Sequence, residues 1–260
     1  MILLAHYGFN LDTISRLQGN SATQALAYIL RGKFYDEYKG KTFDYSHMKD
    51  FLHSEVILPE NAPPEYLNPV TLCNRMERAE KRYDGRTGRV IWLSLPNELE
   101  LDDWLELVRE FAYEAFVCLG MCVIIAIHYD RHPNDPAKDN PNAHFILSDR
   151  PLTREGFCIK KDRDWNKKAH IRIWRRQWAD IQNKMFERKG RDVRVSHLSL
   201  EVQGIDREPT IPLGRTAMAL ENRGIQTELG NRNRAIIKRN LEREVHNRPR
   251  ERERSRERAR

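Results

Sequence analysis

The stretch MCVIIAIHYD, residues 121–130, constrains the fold of this chain more than any other segment. Its apolar run is nearly continuous, which is typical of a strand covered on both faces of a sheet. We therefore expect a central strand with a neighbour on each side. The segment AHFILSD, residues 143–149, predicts one neighbour, and the polar loop between the two segments allows an antiparallel pairing.

Helical segments surround these strands in the sequence. Residues 101–120 (LDDWLELVREFAYEAFVCLG) are strongly amphipathic at helical spacing, and Gly120 is a suitable helix stop. Residues 90–96 (VIWLSLP) predict a short apolar strand that ends at Pro96. Strands and helices in this order predict an α/β or α+β domain with one main sheet.

Two further segments carry predictions. Residues 19–32 (GNSATQALAYILRG) predict a short helix with Ser21 as its N-cap and Gly32 as its stop, and Tyr28 lies beside the apolar face of that helix. Residues 194–203 (RVSHLSLEVQ) predict a strand.

Charge narrows the class of partner. The formal net charge is +7, which favours a polyanion, nucleic acid first and an acidic membrane surface second. Residues 242–260 hold eight arginines against five acidic residues, which predicts either a solvated helix with ion pairs or a disordered tail. No apolar run approaches the length of a membrane span, so we expect a cytoplasmic protein without membrane insertion.

The four cysteines form no CxxC pair, which excludes a zinc ribbon and a CxxC redox motif. We expect reduced, mostly buried thiols.

Two histidines stand in neighbouring predicted strands. His128 ends one strand, His144 lies in the next, and Asn142 points to the same face as His144 because strand side chains alternate. Two imidazoles and one amide oxygen could hold Mn, Zn, Co or Mg. The alternative is a pair of ordinary buried histidines, with Asn142 as a turn residue after Pro141.

Several segments in a fixed order decide between these interpretations. Together they resemble the MobA/MobL-type mobilisation relaxases, a branch of the HUH endonucleases. The resemblance runs from about residue 1 to residue 240 and predicts a relaxase-like domain over residues 1–240, with residues 241–260 as a tail or linker. The segments are GNSATQALAYILRG, FLHSEVILPENAP, RAEKR, LPNELELDDWLELVREF, GMCVIIAIHYD, NPNAHFILSDR and VQGIDREPTIPLG.

The resemblance implies a fold and a set of site residues. The fold is α+β, an α/β sandwich with a central, mainly antiparallel HUH-type sheet flanked by helices. The family's nucleophile corresponds to Tyr28, and its metal-binding residues correspond to His128, Asn142 and His144.

Three departures from the family pattern accompany these matches. The usual NPHAH motif is NPNAH in this chain, which replaces one imidazole by Asn142. Val90 and Trp92 stand where acidic residues are common, and Leu198 stands where an arginine is usual.

The chemistry implied by the resemblance is the nicking of one DNA strand at an origin of transfer. A tyrosine hydroxyl attacks phosphorus and stays joined to the 5′ phosphate, while a divalent metal stabilises the charge on the phosphate oxygens. Because an amide oxygen is a weaker and harder ligand than imidazole, we expect looser binding with Mg or Mn favoured and Zn or Co as alternatives. The expected partners are single-stranded or locally melted origin DNA and accessory relaxosome proteins, in a bacterial cytoplasm.

Basic residues predict where the DNA binds. Phosphate contacts mixed with base stacking are typical of single-strand binding, and Trp174 and Trp178 lie among three arginines of one helical segment. The alternative is an amphipathic helix with core tryptophans and solvent-facing arginines. The predicted DNA-binding residues are Arg31, Lys33, Arg150 and Arg154 near the site, and Arg172, Arg175 and Arg176 in that segment.

Two other functions compete with an active relaxase. A non-catalytic or weakened relative that binds origin DNA would explain Asn142 and Trp92. An unrelated metal hydrolase with a His-X-His strand would leave Tyr28 and the basic segments without a role.

Overall fold

The computed structural model describes residues 3–131 and 139–258, which divide between two compact units. The first unit spans Met1–His197 and the second spans Leu198–Arg260.

The first unit contains the sheet and most of the helices. Its helices are α1 (Ala22–Ile29), α2 (Pro69–Ala79), α3 (Leu101–Ala115) and α4 (Lys168–Arg188). Its strands are β1 (Leu3–Leu4), β2 (Phe9–Ser15), β3 (Lys33–Asp36), β4 (Lys41–Asp44), β5 (Phe51–Ile57), β6 (Arg86–Ser94), β7 (Val123–Asp130), β8 (Asn140–Ser148), β9 (Leu152–Thr153), β10 (Gly156–Phe157) and β11 (Val193–Arg194).

The main sheet has five strands in the order β2-β6-β8-β7-β5. Every neighbouring pair in it is antiparallel, and β8 lies in the middle with β6 and β7 on either side. This arrangement confirms the predicted α+β class and the mainly antiparallel central sheet. The apolar run of residues 123–127 is buried throughout, as expected for β7 between two neighbours.

Alternation along β7 and β8 separates two hydrophobic cores. Ile125 and Phe145 pack with α3 and α4 on one face of the sheet. Ile124 and Ile146 pack with α1 and α2 on the other face. His128 and His144 each lie an even number of residues from these second-face positions, so their side chains belong to the face that α1 covers.

The prediction of a strand over residues 194–203 is wrong. Only Val193–Arg194 pairs with β1, in a parallel register of two residues. The backbone of Val195 then binds a side chain of α4 instead: its N–H donates to Asn183 Oδ1 at 2.9 Å, and its carbonyl accepts from Asn183 Nδ2 at 3.0 Å. These bonds occupy the groups that a longer strand would offer to a neighbour.

The second unit contains α5 (Gly214–Asn222) and α6 (Glu228–Arg258). Glu221 links them, because its carboxylate accepts from the Thr227 hydroxyl at 2.8 Å and from Arg234 at 2.7 Å. Helix α6 runs through residues 240 and 241, and the domain boundary expected there stays a prediction. Across the described parts of the chain, no helix is both long and apolar enough to cross a membrane.

Candidate active site

The helix that carries Tyr28 begins as its sequence predicts. The Ser21 hydroxyl accepts from the Gln24 N–H at 3.1 Å, which caps one of the first amides of α1. Ala22 and Leu26 are fully buried against the sheet. Tyr28 is half-buried in the last turn, one residue before the helix ends.

The end of α1 differs from the prediction at Gly32. The residue in the left-handed conformation is Arg31, with φ of 51°, and Gly32 follows it. The Gly32 N–H donates to the Ala27 carbonyl at 3.1 Å, the six-to-one bond of a Schellman turn. Gly32 is needed for space, because a Cβ there would lie 2.6 Å from the ring of Phe34.

The two predicted site strands bring their polar side chains together. Asn142 lies opposite His128 in the β7–β8 register, and the imidazole centroids of His128 and His144 are 4.5 Å apart. His144 Nε2 is 2.7 Å from Asn142 Oδ1, so the ring N–H donates to the amide oxygen. Asn142 therefore lies within β8, and its interpretation as a turn residue is wrong.

His128 is a fully buried histidine with partners on both ring nitrogens. Its Nε2 is 2.6 Å from the Ile29 carbonyl, which can only accept, so Nε2 carries the proton. Its Nδ1 then accepts from Arg31 Nη2 at 3.1 Å. Burial lowers the pKa of His128 and the nearby Arg31 charge lowers it further, against the opposing hydrogen bond to Ile29. His128 thus fastens the last turn of α1 to the sheet as a neutral ring.

Arg31 connects the helix end to the edge strand. Its Nε and Nη2 donate to the two carboxylate oxygens of Asp50 at 2.8 and 2.7 Å, and its Nη1 donates to the Tyr28 carbonyl at 2.7 Å. Burial lowers the pKa of Arg31, but hydrogen bonds and charge attraction from Asp50 and from the Tyr28 phenol outweigh it and raise the pKa on balance. The hydrogen bond from Arg31 holds the pKa of Asp50 below its usual value, against the effect of burial.

Aromatic and cationic groups surround the Tyr28 ring. The guanidinium carbon of Arg31 lies 4.6 Å from its centroid, the Tyr45 ring meets it edge-on at 5.5 Å, and the His144 ring does so at 6.1 Å. Trp92 meets the other side of His144 at 6.2 Å. Helix α1, the loop after β4, and strand β8 therefore converge on one phenol.

The arrangement does not fit a divalent ion held by the three predicted ligands. Both ring nitrogens of His128 are bound to protein groups, and the guanidinium of Arg31 places a positive charge beside one of them. Within the described ranges, no group of three or more His, Cys, Asp or Glu side chains is arranged to hold a metal ion. The ligand set and the ion stay predictions.

The basic residues predicted to bind DNA lie in several places. Lys33 begins β3, two residues after Arg31, and is exposed. Arg150 comes two residues after β8 ends at Ser148, at the opposite end of the strand from Asn142. Its guanidinium donates to the backbone carbonyls of Cys158 and Ile159. Arg154 is exposed between β9 and β10.

The arginines of α4 lie across the sheet from Tyr28. Arg172, Arg175 and Arg176 are exposed on α4, which packs on the face opposite α1. Trp174 and Trp178 are buried in that core, so the interpretation as core tryptophans is correct and base stacking by them is excluded.

Two residues of this site were missing from the predicted set. Asp50 comes just before β5 and Tyr45 lies in the loop after β4. No spacing relates either of them to α1, because Asp50 reaches Arg31 and Tyr45 reaches Tyr28 through tertiary contacts.

Comparison with known proteins agrees with this fold. The family model described as MobA/MobL family matches residues 20–223. The probable mobilization protein MobA of Bifidobacterium longum is 29% identical over 274 residues, which cover 91% of this chain and 48% of that protein. The conjugal transfer protein TraA of Agrobacterium fabrum is 30% identical over 260 residues, which cover 87% of this chain and 23% of that protein.

A solved structure is also similar. It comes from work on the molecular basis of vancomycin resistance transfer in Staphylococcus aureus, with 31% sequence identity and a TM-score of 0.64, and the match covers 75% of this chain and all of that one. The chain spans about half or less of the length of the two relatives named above. With the family model matching most of the sequence, the chain belongs to the MobA/MobL family.

Proposed function

We propose that this chain is the DNA-nicking part of a mobilisation protein of a plasmid or other mobile element. One observation carries the proposal: in a MobA/MobL chain, the phenol of Tyr28 lies beside His144, on the sheet face that also carries His128 and Asn142. A nucleophile next to fixed polar groups is the arrangement that phosphoryl transfer requires.

The proposed reaction is a reversible exchange of phosphodiester bonds. The Tyr28 oxygen attacks a backbone phosphorus, an O–P bond to the tyrosine forms, and the bond from phosphorus to the 3′ oxygen breaks. The phenol proton is lost and the departing 3′ oxygen gains one, which leaves a 3′ hydroxyl and a 5′ phosphotyrosine. The bond energy is retained in the new ester, so a 3′ hydroxyl can later reverse the step.

The residues of this chain serve the reaction mainly by holding the nucleophile. The bond between His128 and the Ile29 carbonyl fixes the end of α1 against β7. The ring of His144 keeps its orientation through its hydrogen bond to Asn142. Such fixed geometry lowers the entropic cost of bringing hydroxyl and phosphate together.

The proposed partner is single-stranded or locally melted origin-of-transfer DNA, with accessory relaxosome proteins as further candidates. The net charge of +7 supports a nucleic-acid partner. A divalent ion, Mg or Mn first, stays a separate prediction, because Nδ1 of His128 must release Arg31 before its lone pair can bind an ion, while Nε2 can keep its bond to Ile29.

A covalent-adduct assay tests the proposal. Single-stranded oligonucleotides that tile both strands of the replicon carrying the gene are incubated with the chain, and denaturing gels detect protein joined to DNA. An adduct on one oligonucleotide, with the phosphate mapped to Tyr28 by mass spectrometry, supports nicking. The absence of an adduct on every oligonucleotide contradicts it.

The second candidate is a relative that binds the origin without cutting it. Asn142 in the metal-binding motif and the engaged nitrogens of His128 favour this alternative. Sequence-specific binding to one oligonucleotide without an adduct, in the same assay, identifies this case.

A further inference from the structure

We propose that Arg31 is a positioning residue for the nucleophile, and that its guanidinium supplies the fixed positive charge beside Tyr28. This inference rests on the proposed function. It deepens it by assigning the charge next to the attacking oxygen to a side chain of this chain.

The backbone of Arg31 is the first observation. Its φ of 51° lies in the left-handed region, which favours glycine and costs other residues about 1 kcal/mol or more. The turn would accept glycine at this position without strain. The long charged side chain of Arg31 thus lies at a position whose backbone favours glycine, one turn from the proposed nucleophile.

The guanidinium itself is the second observation. Its side chain is only 5% exposed, and four of its five N–H groups donate to Asp50, the Tyr28 carbonyl and His128. It is therefore held rigidly rather than extended into solvent. Its carbon lies 4.6 Å from the centre of the Tyr28 ring, which places the charge against the face of the phenol.

Asp50 and His128 define the chemistry of this cluster. The carboxylate of Asp50 fixes the fork of the guanidinium, and the neutral ring of His128 accepts its remaining Nη2 proton. Arg31 is permanently charged. When the O–P bond to Tyr28 breaks during rejoining, negative charge develops on the phenol oxygen. In the nicking direction, the phenol oxygen carries negative charge as it loses its proton and attacks phosphorus. A preorganised cation stabilises both transition states.

Other charged or titratable groups also lie around Tyr28. Asp50 carries the opposite charge, and Tyr45 and His144 are the other ring neighbours. His47 contacts Tyr45 at a ring distance of 6.5 Å and is exposed. Arg31 is the cation that contacts Tyr28 directly among these groups.

The test uses Arg31→Gly in the full chain, since glycine suits the backbone conformation and removes the guanidinium. We expect the rate of adduct formation to fall on the order of 100-fold, as for loss of one preorganised charge-stabilising group. Arg31 is among the residues predicted to bind DNA, but its guanidinium is buried and donates to protein groups, so the affinity for the same oligonucleotide should stay close to that of the unchanged protein. Added guanidinium in the millimolar range should restore part of the rate, whereas urea, which is similar in shape but neutral, should not.

Two companion variants keep the outcome decisive. Arg31→Lys retains a charge but loses the two-point contact with Asp50, and it should fall between Arg31→Gly and the unchanged protein. Arg109→Ala is the matched control, because Arg109 of α3 forms a partly exposed ion pair with Glu55 of β5 at 2.9 Å, away from α1. It should leave the rate unchanged, and thermal unfolding of all variants shows whether each is folded.

The outcomes separate this inference from the proposed function. If the unchanged chain forms a Tyr28 adduct and Arg31→Gly forms it equally fast, Arg31 has no such role while nicking stands. If the rate falls but urea restores it as well as guanidinium, the loss comes from a cavity rather than from charge, and the inference is overturned. If the unchanged chain forms no adduct, both proposals are overturned together.

Discussion

The imidazole centroids of His128 and His144 lie 4.5 Å apart, yet both ring nitrogens of His128 are hydrogen-bonded to protein groups. Two neighbouring histidines often form part of a metal site, but each can bind an ion only through a nitrogen lone pair that is directed at the ion. In this chain the lone pair of His128 faces a guanidinium.

Asn142→His should therefore tighten metal binding. A third imidazole at this position of β8 would provide a ligand that does not depend on displacing Arg31 from His128. We expect Mn affinity to rise at least about tenfold, measured by calorimetric titration. Asn140→His, at the solvent-exposed start of β8, is the matched control and should change little. Equal Mn affinities in the Asn142→His variant and the unchanged chain would contradict the site predicted from the sequence.

Tyr28→Phe should abolish the covalent adduct while leaving DNA binding nearly intact. The substitution removes only the hydroxyl, so the ring contacts with Tyr45 and His144 are retained. Tyr45→Phe is the natural control, because Tyr45 is the nearest second phenol in the site. Loss of the adduct in Tyr45→Phe with its survival in Tyr28→Phe would move the nucleophile to residue 45.

The location of the DNA can be mapped by salt dependence. Lys33→Ala should weaken binding and reduce the salt slope by about one unit, because Lys33 is exposed beside the end of α1. Neutralising Arg172 and Arg176 together should have a smaller effect, because α4 packs on the other face of the sheet. A larger loss from the α4 pair than from Lys33 would show that the DNA follows the opposite face.

Acidification should lower the stability of the second unit by protonating Glu221. Arg234 and the Thr227 cap lower the pKa of Glu221 from 4.5 to about 2. The unfolded chain then binds a proton at higher pH than the folded chain, so this contribution is present above pH 4.5 and is lost as the pH falls towards 2. Hydrogen exchange of α5 and of the start of α6 should therefore speed up over this range.

Glu221→Gln should remove most of that acid response. The amide keeps the shape of the side chain but cannot ionise, so exchange would already be faster at neutral pH and would change less on acidification. Glu228→Gln, an exposed partner of Arg232 in the first turn of α6, is the control. An unchanged acid response in Glu221→Gln would mean that other carboxylates govern the stability of this unit.

The sequence predicted what depends on periodicity and local chemistry. The apolar run before His128 and the Ser21 cap are local patterns, and each lies where expected. The amphipathic helix also forms, but α3 ends at Ala115, and Gly120 ends the short 3-10 turn Val117–Leu119 that follows it. Two residues of β8, Asn142 and His144, share a face because alternation along a strand is fixed.

What the sequence did not predict depends on contacts across the fold. The ion pair of Arg31 with Asp50 joins residues from two elements that no repeat or motif relates. The strand expected near Val195 does not form, because the backbone N–H of Val195 donates to the Asn183 side chain of α4 instead of to a neighbouring strand. The tryptophans of α4 were ambiguous, because helical spacing alone does not reveal which face meets a core.

Because β8 lies in the middle of the sheet, a substitution on β8 has a different effect from a substitution at the end of α1. Hydrogen-bond ladders to β6 and β7 hold β8 along both edges, so a new side chain at residue 142 alters the chemistry at that position without relocating it. Tyr28, the proposed nucleophile, lies instead in the last turn of a helix that a few bonds through Arg31 and His128 hold in place. Substitutions at residue 142 therefore change the chemistry of a fixed position, whereas substitutions in the turn after Tyr28 change both the placement of the phenol and the charge beside it.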